Sequence, residues 1–296
     1  MPQSERVKGV LEILASGFFF GFLGLFGKQA FAMGLSPFEF LSMRYLFAAA
    51  MTFCFVVFRS RDVRKIWLGS KMTSLSIMLG VLGYAVFSSF YFLALGRISA
   101  SMTVILLYTY PVLVAIGGAI FFREHIPASR LPAIPMAFLG MVFLVWQDFQ
   151  IGQPIGLIFG LCSALFYSVY ILVSSHWLKG IDAMTSTFWI QLGAGLTLLF
   201  VGFQVPGRVA EVIATAWPLI LMIAFVCSVL AMSLFLSGLL KVKSWEASLL
   251  SMAEPITGVA VGILFLNETL SGAQWVGVAL VLAALALVSV PAKAGQ

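Results

Sequence analysis

The sequence predicts an all-α integral membrane protein: ten transmembrane helices arranged as two inverted five-helix repeats. Three observations predict it. First, 61% of the 296 residues are hydrophobic and only 9% charged, with mean hydropathy +1.08. A soluble domain carries about 25% charged residues, so the solvent that suits this chain is lipid. Second, apolar runs of membrane-spanning length recur from end to end. Third, one pattern appears twice, 144 positions apart. Tyr110-Pro111 sits midway through an apolar segment ending in Phe122-Arg123-Glu124, and Glu254-Pro255 midway through one ending in Leu266-Asn267-Glu268. Arg97 and Lys241 share the same offset.

A span needs roughly 20 apolar residues. The expected spans are 9–31, 38–58, 74–96, 99–122, 132–147, 154–177, 183–203, 217–240, 246–266 and 272–290, the fifth being short. The first run has no clear small-x-small cleavage site and reads as a retained span rather than a signal peptide. Ser36-Pro37, Pro127, Pro132, Gln153-Pro154, Trp217-Pro218 and Ser271-Gly272 fall near the proposed ends, where proline in a first helical turn loses no hydrogen bond. Short links make neighbouring helices antiparallel. Gly17 and Gly21, Gly156 and Gly160, and Gly258 and Gly262 have the spacing that lets a second helix approach closely.

Lysine and arginine set the orientation. With the N-terminus in the cytoplasm, thirteen of the seventeen fall in cytoplasmic segments, among them Arg59, Arg61, Arg64, Lys65 and Lys71. Lys28, Arg97 and Arg208 fall outside, and Arg44 lies within a span. That bias predicts a multi-pass protein of a bacterial inner membrane with both termini cytoplasmic. Five spans per half is an odd number, so the second half enters the membrane from the opposite side. The halves are 1–148 and 149–296. The first helices match weakly: Ala15-Ser16-Gly17-Phe18-Phe19-Phe20 aligns with Ser163-Ala164-Leu165-Phe166-Tyr167-Ser168, and Lys28 with His176. Inverted repeats of this kind build many secondary transporters.

Other function classes find little support. The net charge of +6 sits in short loops between spans, where topology puts it, so nucleic acid is not an expected partner. Cys54, Cys162 and Cys227 all fall in apolar runs without a CxxC spacing, which speaks against disulfides and metal. His125 and His176 lack metal-ligand spacing, and there is no phosphate-binding GxxxxGK[ST] loop. No cluster of acids or histidines marks a membrane enzyme. Binding and movement remain, with no cofactor, no metal and no catalytic residue expected.

The candidate substrate-binding residues are Tyr84, Phe87, Ser88, Tyr91, Tyr110, Ser163, Tyr167, Tyr170, Ser251 and Glu254. Tyr84, Phe87, Ser88 and Tyr91 lie at i, i+3, i+4 and i+7, one face of the third helix. Ser163, Tyr167 and Tyr170 share a face of the sixth. A face that mixes rings with hydroxyls suits a cavity holding an apolar group with a polar end; core packing with hydroxyls bonded to backbone explains it equally well. Glu254 lies mid-span with Ser251 three residues before it. A carboxylate there is expensive and must be protonated, paired or facing water. It either meets a substrate ammonium or a coupled proton, or it bonds backbone carbonyls freed by Pro255. Tyr110 is its repeat partner, and the matched prolines remove a donor and bend their helices. Arg44 either attracts a substrate carboxylate or pairs with an acid, Glu39 being the nearest in sequence. Glu124 and Glu268 precede short turns holding Ser129 and Ser271; the serines are expected to cap the following helices and the acids to interact with those positive helix ends.

Together, Lys28, Pro37, Arg44, the Tyr110-Pro111 and Glu254-Pro255 centres, and the closing Glu124 and Glu268 resemble the drug/metabolite transporter superfamily in its ten-helix EamA branch. The pattern is most like that of the aromatic amino-acid exporters of the branch, with Ser88 and Tyr167-x-x-Tyr170 where their binding groups would fall. The second-half counterpart of Arg44 is absent, Ile190 standing there, so the halves are not equivalent. The resemblance implies a secondary exporter of hydrophobic, aromatic and other neutral amino acids or related metabolites, working by alternating access. It implies a midplane cavity lined by helices 1, 3, 4, 6, 8 and 9. The partners expected are a small-molecule substrate and the lipid bilayer, and a monomer suffices. A phosphorylated cargo would demand several intramembrane cations, and only Arg44 is one. A lipophilic-cation exporter of the same superfamily would also suit Glu254 and the aromatics. A non-transporting receptor or scaffold could share the sequence pattern.

Overall fold

The computed structural model describes residues 3–146, 153–205, 207–266 and 268–290, which are helical without a strand. The expected boundary between halves at 148/149, and Asn267, lie outside the described residues. The helices are α1 (Gln3–Ala32), α2 (Pro37–Ser60), α3 (Ser70–Leu95), α4 (Ala100–Phe122), α5 (Ala128–Leu144), α6 (Pro154–Trp177), α7 (Ala183–Gly202), α8 (Arg208–Leu239), α9 (Ser244–Leu266) and α10 (Gly272–Ser289). All but α5 are long and apolar enough to cross a membrane. Large apolar side chains such as Phe58, Phe121, Phe200 and Leu264 point outward, fully or largely exposed, as a lipid-facing surface requires.

Local chemistry sets the helix starts. Ser36 accepts the Glu39 N–H while Glu39 accepts the Ser36 N–H, with Pro37 in the first turn. Ser271 and Gln274 repeat this reciprocal cap at α10, while Ser99 and Asp182 cap α4 and α7 by accepting the Met102 and Thr185 N–H. Each such cap is worth about 1 kcal/mol. One expected boundary is wrong. Trp217-Pro218 does not open a span, because α8 begins at Arg208 and Pro218 lies inside it. Val212, Ala216, Ile220 and Ile223 form one continuous buried stripe across that proline, and their packing outweighs the single lost donor.

The packing has two-fold character. Helix α2 lies along α7, and α5 along α10, each pair joining equivalent helices of the two halves. Helix α3 lies along α6 and α8 along α1, two pairs that the pseudo-symmetry exchanges. Irregularities repeat too. Helix α3 carries a π-helical segment at Leu79–Ala85 and α8 one at Ala224–Leu230, 145 positions on. Helix α4 breaks at Tyr108–Thr109, and α9 at Ser251–Met252. The expected proline kinks are therefore breaks placed just before the prolines. Pro111 sits in the first turn of a restarted helix, and Glu254 and Pro255 open the second part of α9. A restart costs less than a proline clash inside a continuous helix.

Candidate functional site

The two broken helices meet near the centre of the bundle. The Ser251–Met252 break frees the Ser248 carbonyl, and the Tyr110 hydroxyl donates to it at 3.2 Å. The Ser168 hydroxyl of α6 donates to the Tyr110 carbonyl, at 3.3 Å. Around this crossing stands a wall of rings. Tyr84 meets Tyr170 edge-on at 4.8 Å and Phe87 at 5.6 Å. Tyr167 packs at 4.8 Å from both Phe87 and Tyr110 and lies parallel to Tyr170. Helices α3, α4 and α6 thus bring five of the ten predicted residues into one cluster.

The ten play different parts. Phe87, Tyr91, Tyr167 and Glu254 keep accessible side-chain surface deep in the bundle; Tyr84, Ser88, Tyr110, Ser163, Tyr170 and Ser251 are buried. Tyr110 is spent on the α9 break. Ser163 donates to the Phe87 carbonyl at 3.1 Å and ties α6 to α3. Ser251 bonds the Ala247 carbonyl of its own helix. Tyr84 has a buried hydroxyl with no hydrogen bond.

Glu254 makes no hydrogen bond or ion pair to the described residues. It lies within electrostatic reach of Tyr91, Tyr108, Tyr110, Tyr167 and Arg44. Glu254 keeps some accessible surface although helices surround it. The carbonyls freed at the α9 break are not its partners. Gly17 of α1 packs directly on Ala253 and the Glu254 backbone, closing the site from that side. Sequence reasoning missed Tyr108, whose ring lies 5.8 Å from that of Tyr110. Its position beside a paired proline break was the available signal.

Arg44 is buried, and its expected partner is taken. Glu39 pairs with Arg208 at 2.7 Å. Five residues along a helix place Glu39 and Arg44 on different faces, whereas Arg208 opens α8 beside the start of α2. Arg44 reaches the π-helical segment of α8, donating from Nε to Ser228 Oγ at 2.7 Å and from Nη2 to the Cys227 carbonyl at 3.0 Å. Its guanidinium also lies over the Tyr45 ring, 4.8 Å from the centroid.

The ends of α4 and α9 carry equivalent acids in unequal settings. At the end of α4, Glu124 folds back over Gly118, where a Cβ would crowd its carboxylate. It accepts from the Ser244 N–H and hydroxyl at the start of α9, at 3.2 and 2.8 Å. His176 Nε2 lies 3.2 Å away, its ring stacked on Phe122 at 3.7 Å. Ser129, expected to cap the following helix, lies inside the 3-10 turn that starts α5. At the end of α9, Glu268 folds back over Gly262 and pairs with Lys28 at 2.8 Å. That pair is open, with Lys28 63% and Glu268 50% exposed, against 16% and 10% for His176 and Glu124. Ser271 caps α10 as expected, with Gln274 completing the cap. The first part of α9, Ser244–Leu250, packs on the second part of α4, Tyr110–Phe122. The equivalent approach of Ala253–Leu266 to Ala100–Leu107 is at most marginal. The bundle is closed at the end that carries the chain's first residues and parted at the other.

Comparison with known proteins agrees with this architecture. The model of the EamA-like transporter family matches twice, over residues 7–146 and 154–290. An uncharacterized transporter of Archaeoglobus fulgidus is 28% identical over 93% of this chain and 94% of its own length. A probable amino-acid metabolite efflux pump of Salmonella typhimurium is 24% identical over 57% of this chain and 60% of its own. A protein known from its crystal structure superposes with a TM-score of 0.78 at 17% identity, covering 94% of this chain and 95% of that one, which is a likeness of fold. The two family matches span nearly the whole chain, and this multi-pass membrane protein belongs to the EamA-like transporter family.

Proposed function

We propose that this chain exports neutral, largely hydrophobic amino acids or related metabolites across a bacterial inner membrane by alternating access. The observation that carries the reading is the unpartnered Glu254 where two broken helices cross, within electrostatic reach of Tyr91 and of Tyr167, whose ring packs on Phe87. Rings provide apolar area with little conformational cost, and a single carboxyl provides an orienting polar group. The efflux pump among the relatives is consistent with such a cargo. Twelve basic residues among those described lie on the closed side and support a cytoplasmic placement of it by the positive-inside rule; the conformation described is then open to the outside. The two acid latches, Glu124 with Ser244 and Glu268 with Lys28, would then close in turn.

Glu254 amid rings also favours a second reading, export of lipophilic cations. Counterflow in proteoliposomes separates the two. Radiolabelled phenylalanine, leucine, threonine and tetraphenylphosphonium are offered in parallel. Exchange of phenylalanine and leucine above protein-free vesicles is expected; exchange of tetraphenylphosphonium alone would replace this reading with the second. Orientation is tested by single-cysteine labelling: a cysteine at Asp62 should resist an impermeant reagent applied to intact cells.

A further inference from the structure

We propose that the closed end of the bundle holds one proton between His176 and Glu124, so that closing this end takes up a proton from the adjoining water and its opening follows the pH there. The donors and acceptors around the imidazole fix the count. His176 Nδ1 lies 2.9 Å from the Leu172 carbonyl, and a carbonyl oxygen only accepts. The Ser175 hydroxyl, 2.8 Å from the same nitrogen, spends its own hydrogen on that carbonyl, at 3.0 Å. Nδ1 therefore carries a hydrogen, shared between two oxygens. Nε2 lies 3.2 Å from Glu124 Oε1. A bare nitrogen lone pair against a carboxylate would set two acceptors in contact, where the side chains are only 16% and 10% exposed and an unmade hydrogen bond is costly. The contact is made with a proton on Nε2 or on the carboxyl. Ser244 already donates to both carboxyl oxygens, which favours an imidazolium beside a carboxylate. In either form the closed contact holds one proton.

Apart in water at neutral pH, an imidazole is neutral and a carboxyl ionised, and no proton is held between them. The closed form thus binds one proton more, and it loses favour as pH rises, by up to about tenfold per unit. The other copy of the latch differs. Lys28 stands in the place of His176, 2.8 Å from Glu268, and an ammonium keeps its charge through this range. The proton dependence belongs to one end only. Each neighbouring element carries other charges. Arg123 and His125 at the end of α4, Lys179 beyond α6 and Lys71 at the start of α3 are exposed. On α9, Lys243 donates to the His125 carbonyl, and Glu246 pairs with Arg6 of α1, with Arg130 at 3.6 Å. Past the end of α8, Lys241 pairs with Glu12 of α1. His125, the chain's other histidine, provides the control. The proton count needs no cargo; only the compartment that supplies the proton, the cytoplasm, rests on the orientation proposed above.

Spin labels on cysteines replacing Ser4 and Lys179 read the state of this end by double electron–electron resonance in detergent, in a background without Cys54, Cys162 and Cys227. Both labelled positions are exposed. Ser4 moves with α9, because Arg6 binds Glu246 at 2.9 Å, and Lys179 moves with α6, so the distance lengthens when the latch parts. From about pH 6.5 to about pH 7.5 the ratio of parted to closed molecules should rise several-fold, and at most about tenfold. His125→Gln should follow the parent. His176→Gln keeps a neutral polar side chain and should lose the dependence. His176→Lys copies the other latch and should stay closed throughout. Gel filtration and helical circular dichroism of the variants serve as folding controls. A parent ratio indifferent to pH, the same slope in His176→Gln, or a His176→Lys protein that parts as pH rises would each overturn the shared proton. Absence of counterflow for every amino acid would sink the proposed cargo and leave this result standing.

Discussion

The two ends of the bundle are built from the same parts and hold different states. Each end has an acid that follows the last turn of a broken helix, folded back over a glycine six residues earlier. Each acid is paired with a base on the first helix of the opposite half, His176 for Glu124 and Lys28 for Glu268. At the closed end the acid also receives two hydrogen bonds from the start of α9. At the parted end it receives none from α4 and stands in solvent. The difference teaches that the repeat encodes a latch twice, and that one conformation engages only one copy. The cost of releasing the closed copy is largely hydrogen bonding to a half-buried charge, and engaging the other would return it.

Glu124→Ala should show the largest effect. It removes both Ser244 bonds and the His176 pair, and we expect about 2–3 kcal/mol less stabilisation of the closed end. A cysteine at Ser248, buried behind that latch, should then react with a thiol reagent added to inside-out vesicles, and does not in the parent. Unchanged reactivity would mean that α4 and α9 are held together by apolar packing alone.

Tyr167→Ala comes next and acts between the two ends. Tyr167 presents accessible ring surface and makes no hydrogen bond, so its removal should weaken phenylalanine and leucine counterflow more than threonine counterflow. An equal loss for all three would make it a packing residue. Ser244→Ala should be milder than Glu124→Ala, removing one hydroxyl bond for about 1 kcal/mol and raising Ser248 labelling part of the way.

Glu268→Gln should be the smallest perturbation. An exposed ion pair contributes under about 1 kcal/mol and is screened by salt. Thermal stability in detergent should barely move. If the parted end closes during transport, however, Glu268→Gln should slow counterflow more than its effect on stability suggests. Wild-type counterflow in this variant would break the symmetry argument.

Much of the architecture was legible because membrane spans are long, apolar and punctuated. The ten spans, the Ser36 and Ser271 caps and the 144-residue repeat all depend on local composition and spacing. The central position of Glu254 was legible for the same reason, since a mid-span acid beside a proline is conspicuous. The choice of partner was not legible. Sequence proximity suggested Arg44 with Glu39 and Glu124 with the start of the helix that follows it. The structure pairs Glu39 with Arg208 and Glu124 with Ser244, because side chains separated by one short turn need not face each other. Pro218 misled for a related reason: the buried stripe that carries α8 through it exists only once neighbouring helices are in place.

Apolar composition, the spacing of the apolar runs and the 144-residue offset together determined that this chain lives in lipid as ten helices in a duplicated, inverted unit, because the bilayer requires every backbone polar group to be satisfied within helices of fixed length. Only tertiary structure decided which hydroxyls are spent and which are free. Tyr110 and Tyr167 are both mid-span tyrosines, yet one is tied to the α9 break while the other keeps accessible surface and makes no hydrogen bond to the described residues. It also decided that Arg44 is tied to Ser228 and the Cys227 carbonyl of α8, while Glu39 goes to Arg208. Such pairings depend on helix rotation and crossing, which arise from side-chain packing across the whole bundle and leave no local trace in the chain.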